Sequence, residues 1–226
     1  MTDSADLLAA LQHGDSFFPS GSLAFSWGLE TLRNDGLLRG AEDVEWFVLD
    51  QLRHRWATFD RPVLVAAHRA ADDPDSLARI DKLVEAMSLA REARDGSRRA
   101  GAALLSVHEN LGTEGASAYH ERVKGRRAWG HLAVVQGLVW RGAGLDETAA
   151  SAISGHTLCV GLLGAALRLG LIGHIDSQRS LARLRNDIID LLAAPAPALG
   201  DMGVYTPEAE VAGMRHETAS TRLFIT

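Results

Sequence analysis

The run TLCVGLLGAALRLGLIG, residues 157–173, is apolar on nearly every helical face and contains a single charge, Arg168. A helix with this pattern needs neighbours on all sides, so the run predicts the central helix of a bundle. Small residues in the run leave the backbone open, which predicts that other helices approach it closely. These residues are Gly161, Gly164, Ala165, Ala166 and Gly170.

A membrane span is the alternative for this run, which is just under the usual length for crossing a bilayer. Arg168 argues against it, because a charge inside a span costs about 2.5–3.5 kcal/mol. The N-terminal segment MTDSADLLAALQHGD is acidic and lacks the basic region and cleavage site of a signal peptide. We therefore expect a cytoplasmic protein with no membrane partner.

Net charge and cysteine content limit the kinds of partner and metal site that the chain could have. The chain has 226 residues, a formal net charge of −6 and a pI near 5.8. Surfaces that bind nucleic acid are normally strongly basic, so we expect no nucleic-acid partner. Cys159 is the only cysteine, which excludes an intramolecular disulfide and a thiolate zinc site.

The distribution of apolar residues predicts the architecture. Aliphatic residues outweigh aromatic ones and β-branched runs of strand length are missing, which predicts an all-α, single-domain bundle of about 8–10 helices. Proline and glycine become frequent after Ala194, which predicts an extended tail with one turn of helix near Val211. The predicted division is an all-α domain over 1–194 and a flexible, partner-binding tail over 195–226.

Local signals predict the helix boundaries. Asp73 followed by Pro74 is a typical helix start, and Asp146 and Asp176 are predicted caps of two later helices, the first of which could extend to Gly173. A break is predicted between helices at 42–57 and 60–71, because Pro62 follows Asp60. Ser22 is the predicted cap of the second helix. The predicted apolar face of the first helix is formed by Leu7, Leu8 and Leu11.

An arginine cluster allows two interpretations. Its members, interleaved with Glu92 and Asp95, are Arg91, Arg94, Arg98 and Arg99. Spacing of this kind is typical of a solvated helix face with weak i,i+4 ion pairs. The alternative is contact with an acidic partner or with a buried carboxylate.

Signatures of catalysis are missing from the sequence. Neither Lys82 nor Lys124 follows the glycine pattern of a phosphate-binding loop, and the His-Glu pairs at 108–109 and 216–217 lack the second histidine of a zinc protease. The nine histidines show no metal-ligand spacing, so surface or hydrogen-bonded roles are favoured for them. We expect a binding or scaffolding protein without catalytic residues, without a metal site and without a bound cofactor.

Three stretches together resemble the urease accessory protein UreF family. FPSGSLAFSWGLE, residues 18–30, is similar to the family's N-terminal pattern, ALRLGLIGHIDSQRSL to a second conserved stretch, and MRHETASTRLFIT to its C-terminal ending. Glu92, Arg94 and Gly101 add a weaker match. The sequence departs from the family pattern at Ser20, Leu23, His174, Ser177 and Ile225.

The resemblance implies an all-α, homodimeric accessory protein that joins UreD, also called UreH, and recruits the GTPase UreG. That assembly inserts nickel into apo-urease, so the complex handles the metal and this chain modulates GTP hydrolysis without catalysing it. Carried onto this sequence, the motifs give a set of candidate partner-binding residues. They are Pro19, Gly21, Ser26, Gly28, Glu30, Arg168, Gln178, Arg179, His216, Glu217, Arg222, Leu223 and Phe224.

Roles within that set follow as hypotheses. The tail is expected to order on binding UreD, with Leu223 and Phe224 as apolar anchors, although Phe224 could instead seal the core. Glu30 is the favoured outward contact of the first motif, and Arg168 is expected to pair with a buried carboxylate. Two other functions stay open: a small all-α hydrolase with a histidine and a carboxylate in a helical cleft, and a nucleic-acid-binding regulator.

Overall fold

Helices form nearly all the regular structure in the computed structural model, which describes residues 4–19, 25–217 and 223–224. A π-helix joins α3 to α4 without a break, so those residues contain ten separate helices and no strand, which confirms the predicted all-α bundle. The elements are α1 Ser4–Gly14, α2 Leu29–Asn34, α3 Ala41–Gln51, the π-helix Leu52–Asp60, α4 Arg61–Arg69, α5 Pro74–Met87, α6 Arg91–Asn110, α7 Ala116–Lys124, α8 Leu132–Gly142, α9 Glu147–Arg168, α10 His174–Ala193, a 3₁₀ turn Leu199–Asp201 and α11 Pro207–His216.

The central helix of the bundle is α9, as the sequence predicts. It packs against α1, α3, α4, α8 and α10, and Cys159 is fully buried in it. By length and composition this helix alone, among the described residues, could cross a membrane, but 61% of its most apolar window is buried inside the bundle. Packing within the fold therefore accounts for its apolar surface.

Two expectations about this helix are wrong. The helix ends at Arg168 instead of continuing to Gly173, because Gly170 adopts a left-handed φ of +73° that terminates it. No other helix packs closely against Gly161 or Gly164, since a Cβ on either would meet nothing within 4 Å. Close approach occurs instead at Gly155, where a Cβ would lie 3.0 Å from the Trp56 ring.

The predicted break between the third and fourth helices is also wrong. Residues 41–69 form one rod, because the π-helix shifts the hydrogen bonds to i→i+5 spacing, as in the bond from Arg61 N–H to the Trp56 carbonyl. Because of this shift, some carbonyls in the π-helix lack the N–H partner that an α-helix would give them. The Thr58 carbonyl accepts from Gly203 N–H at 3.0 Å, and the His54 carbonyl accepts from Tyr205 N–H at 2.9 Å. The segment before α11 is thereby bonded along the rod.

Capping follows the sequence at two of the three predicted aspartates. Asp73 accepts hydrogen bonds from the Asp75 and Ser76 amides, and Asp146 accepts from the Ala149 amide at 2.7 Å. Asp176 is not the N-cap residue of α10, which is Gly173, but it lies in the first turn and its Oδ2 accepts from the Gly173 amide at 3.4 Å, as the third residue of a capping box does.

The first two helices differ from prediction. Leu7, Leu8 and Leu11 of α1 are exposed, because the opposite face, with Ala9, Ala10 and His13, packs onto the bundle. The second helix starts at Leu29 and not after Ser22, which lies outside the described residues. Trp27 and Gly28 have left-handed φ values of 52° and 86°, which no helix can contain.

The arginine cluster reaches a carboxylate on another helix. Arg98 forms an ion pair with Glu85 of α5, and Arg94 lies 3.7 Å from the same carboxylate. Glu85 is only partly exposed, with 19% of its side chain accessible. The structure therefore favours the second of the two interpretations, contact with a carboxylate in the fold.

Beyond Ala194 the chain has no regular structure as far as Thr206, apart from the 3₁₀ turn. It then forms α11, a ten-residue helix where one turn was predicted. Met202, Ala209 and Ala212 are buried against the bundle. The division at residue 194 and the flexibility of the tail stay predictions.

Candidate functional site

The first and third family motifs meet around one buried histidine. His216, at the end of α11, places Nε2 3.1 Å from Glu30 of α2 and Nδ1 3.0 Å from Glu92 of α6. His216 is 2% exposed and Glu30 is 6% exposed. We call Glu30, Glu92, His216 and Glu217 the Glu30–His216 cluster. It joins three helices that are far apart in sequence.

Glu30 also fixes the end of the chain. Its Oε1 accepts a hydrogen bond from Leu223 N–H at 2.8 Å, and its Oε2 accepts from Phe224 N–H at 3.1 Å. The expectation that Glu30 makes an outward contact is therefore wrong, because its carboxylate points inward. Its role in this structure is to hold the C-terminal segment against α2.

The ring of His216 contacts a carboxylate on each side. Nδ1 and Nε2 are each within hydrogen-bond distance of a carboxylate oxygen, so both polar atoms of this buried ring have a partner in the fold. Glu217 extends the cluster: it accepts from the Glu92 amide at 3.0 Å and lies 3.4 Å from Arg91.

Two further residues of the first motif position the cluster. Gly28 precedes α2 with a φ of +86°, and a Cβ there would lie 2.6 Å from the Ala209 carbonyl of α11. Only glycine satisfies both the left-handed backbone and this close approach. Ser26 is completely buried. These residues of the motif therefore have a packing role in setting α2 against α11.

The aromatic and aliphatic residues at the C-terminus have opposite environments. Phe224 is 6% exposed, and Arg168 places its guanidinium 4.6 Å from the Phe224 ring centroid. Arg168 also donates from Nε to the Gly164 carbonyl, and partial burial lowers its pKa. Phe224 thus seals the core, the alternative left open by the sequence. Leu223 is 62% exposed and remains available for contact.

The second motif presents an exposed surface. Gln178 and Arg179 are exposed on the first turns of α10, and Arg179 lies 3.7 Å from Asp176 in a long ion pair. Ile175 beside them is 65% exposed. The preceding Ile172 belongs to the same apolar cluster as Phe224. The motif therefore lies next to the sealed C-terminus, with its polar residues facing outward.

The remaining candidates are separate or not described. Pro19 is exposed and lies apart from the cluster, whereas Gly21 and Arg222 lie outside the described residues. Glu92 belongs to the cluster but is missing from the predicted set of site residues. The signal for it in the sequence is the weak match to the family pattern, whereas its place among the arginines favours an ion-pairing role on a helix face.

The cluster does not resemble a catalytic site. His216 and Glu30 are buried, Glu92 and Glu217 are only partly exposed, and each has a hydrogen-bond partner within the fold, so the cluster has no free base placed to accept a proton from a substrate. In the part of the chain that the structure describes, no group of three or more His, Cys, Asp or Glu side chains could hold a metal ion. The geometry therefore offers no support for the hydrolase alternative.

Comparison with known proteins agrees with the family resemblance of the three sequence motifs. The UreF family model matches residues 38–185. The urease accessory protein UreF of Trichodesmium erythraeum (strain IMS101) is 33% identical over 232 residues, covering 99% of this chain and 98% of that protein. The protein of the same name from Yersinia enterocolitica serotype O:8 / biotype 1B is 31% identical over 227 residues, covering 98% and 99%.

Proposed function

We propose, from the premise that this chain belongs to the UreF family of urease accessory proteins, that it is a nickel-insertion chaperone for apo-urease. In this role it binds UreD/UreH and the GTPase UreG and is not itself an enzyme. The sequence has no phosphate-binding loop, which is consistent with GTP hydrolysis on UreG and modulation by this chain. Nickel is then cargo of the assembly.

The observation that carries the proposal is an exposed surface built on the buried Glu30–His216 cluster. The cluster fixes Leu223 at the surface while Phe224 anchors the segment inside. Ile175, Gln178 and Arg179 are exposed on α10, in the motif that also contains Arg168, the residue whose guanidinium contacts the Phe224 ring. Exposed aliphatic side chains together with exposed polar residues have the composition of a protein interface.

We further propose that the protein is a cytoplasmic homodimer. The exposed leucines of α1 support an additional protein contact, because Leu7, Leu8 and Leu11 are each more than half exposed. Phe17, just after this helix, is 92% exposed. Neighbouring apolar side chains of this size on a surface usually mark an interaction site.

Co-expression with UreD and UreG tests the proposal. The full chain should co-purify with both proteins and raise nickel-dependent urease activity in cells that lack their own UreF. Leu223→Ser combined with Arg179→Glu should weaken co-purification at least tenfold, because about 2 kcal/mol is expected from one interface anchor and its polar neighbour. Wild-type chain that fails to bind UreD or UreG would contradict the proposal.

A matched pair of variants separates contact from folding. Leu223→Ser removes an exposed side chain and should leave the melting temperature unchanged. Phe224→Ala removes the adjacent buried ring and should lower the melting temperature. Loss of partner binding in Leu223→Ser without loss of stability would assign the effect to the interface.

A further inference from the structure

A groove on the outer face of α5 carries positive charge that the fold does not neutralise. It runs between α5 and the loop that joins α7 to α8, with exposed cations on both walls. Within the described residues, Lys82, Arg126 and Arg127 have no ion-pair partner. The residues that matter for its charge are Arg79, Lys82, Glu85, Arg126, Arg127 and Trp129.

The single carboxylate of the groove is already occupied. Glu85 is bonded by Arg98, and it accepts from His131 Nε2 at 2.9 Å. Among the residues described, Arg79 makes only a long ion pair with Asp73, at 3.9 Å, so it and the three unpaired cations dominate the groove, although the whole chain has a net charge of −6. A concentrated positive site on an acidic protein selects for a short anionic ligand, because the surrounding surface repels a long one.

The loop that carries the two arginines is held rigidly. Asp81 is fully buried beneath it and accepts from the amides of Trp129, Gly130 and His131 at 2.5, 2.7 and 3.0 Å. Asp81 also accepts from the Tyr119 hydroxyl at 2.9 Å. The groove is thus formed before any ligand binds, which lowers the entropic cost of binding.

The backbone at Arg126 supports a role for its side chain. Arg126 has a φ of +56°, a left-handed conformation that a residue with a Cβ seldom adopts. Gly125, which could take that conformation without strain, has an ordinary φ of −76°. The strained position is therefore occupied by an arginine, and its side chain stands exposed at the groove wall.

We propose that this groove binds a short acidic segment, rich in aspartate and glutamate, of a partner protein. Arg79 and Lys82 on one wall and Arg126 and Arg127 on the other can pair with alternate side chains of such a segment. Trp129 is 45% exposed and offers an apolar contact at the end of the groove, where Arg98 covers its ring at 4.3 Å. This site is distinct from the exposed surface around Leu223, and the inference does not rest on the proposed function.

Fluorescence anisotropy tests the proposal, with a fluorescein-labelled peptide of eight glutamates as the probe and the full chain at low salt. The triple variant Lys82→Gln/Arg126→Gln/Arg127→Gln should bind about tenfold more weakly than wild type, as expected for the loss of three exposed charge pairs. Arg33→Gln/Arg141→Gln/Arg185→Gln is the matched control, because it removes three exposed cations elsewhere and gives the same net charge.

The control variant should bind within twofold of wild type. Equal weakening in the two variants would overturn the proposal, since it would reveal attraction by net charge alone, as would a groove variant that binds like wild type. A labelled octamer of thymidine is the comparison probe. Tighter binding of this oligonucleotide, lost in the groove variant, would identify a nucleic-acid site and also overturn the proposal.

Discussion

Gly28 shows how one residue couples the N-terminal motif to the C-terminal helix. Gly28→Ala should destabilise the fold by about 3 kcal/mol or more, from a left-handed alanine costing about 1–2 kcal/mol and a clash that displaces α11. The clash is the 2.6 Å approach of a Cβ to the Ala209 carbonyl. Urea unfolding followed by circular dichroism measures the loss.

Gly36 supplies the control for this substitution. It also has a left-handed φ, +72°, but a Cβ there would meet nothing within 4 Å. Gly36→Ala should therefore cost only the backbone term, about 1 kcal/mol. If the two substitutions destabilise the protein equally, the close contact between Gly28 and α11 has no energetic role.

The lowered pKa of the buried His108 predicts that the stability of the fold depends on pH. Burial, with a smaller effect from the neighbouring His13, lowers its pKa from 6.5 to about 4. Between these values the unfolded chain binds a proton that the folded chain does not, so stability falls as the pH falls. The loss from pH 6.5 to 4 should be about 3 kcal/mol. Urea unfolding at several pH values measures it.

His108→Phe tests the origin of that dependence. The substitution keeps an aromatic ring beside His13, which stacks on His108 with ring centroids 5.1 Å apart. The hydrogen bond between Nδ1 and the Thr113 hydroxyl is lost, but because the pKa of His108 in the fold is about 4, this loss lowers stability by the same amount over most of the range from pH 6.5 to 4. The variant should lose distinctly less stability than wild type between pH 6.5 and 4. An unchanged slope would exclude His108 as the titrating group.

At the scale of elements, the π-helix and the segment before α11 depend on each other. Tyr205→Pro removes the N–H that bonds to the His54 carbonyl and should cost about 1–2 kcal/mol. It should also increase amide exchange in α11, which that segment positions. Tyr205→Ala is the control, because the side chain is 75% exposed and its removal leaves the N–H in place. Equal stability of the two variants would show that the bond is dispensable.

The same elements show what sequence could and could not predict. The central helix and the Asp73 cap follow from local patterns, since burial on every face and a cap before proline act within one segment. The π-helix was missed because the carbonyls it frees are satisfied from residues 203 and 205. In α1 the leucine face looked like the buried one, but the small alanine face allows closer packing on the bundle. The type of a helix and the face that it buries therefore depend on residues that are distant in sequence.

At the scale of the whole molecule, the Glu30–His216 cluster closes the chain upon itself, so the C-terminus contributes to stability. Local patterns predict a flexible, partner-binding tail over 195–226, yet His216 and Phe224 are buried. The motifs identified these residues, but the contact between Glu92 and His216, 124 residues apart, has no local signature.

Deletion of residues 214–226 should therefore lower the free energy of unfolding by about 3–5 kcal/mol, the usual cost of losing a buried aromatic ring. It also leaves the Glu30 and Glu92 carboxylates without the His216 ring nitrogens as hydrogen-bond partners. Far-ultraviolet circular dichroism should change little, because the helical residues that the structure describes within the deleted segment are only those of the last turn of α11. Thermal melting measures the effect, with Leu223→Ser as the stable control. A truncated chain that melts like wild type would show that the cluster does not stabilise the fold, and that the terminus acts through its partners alone.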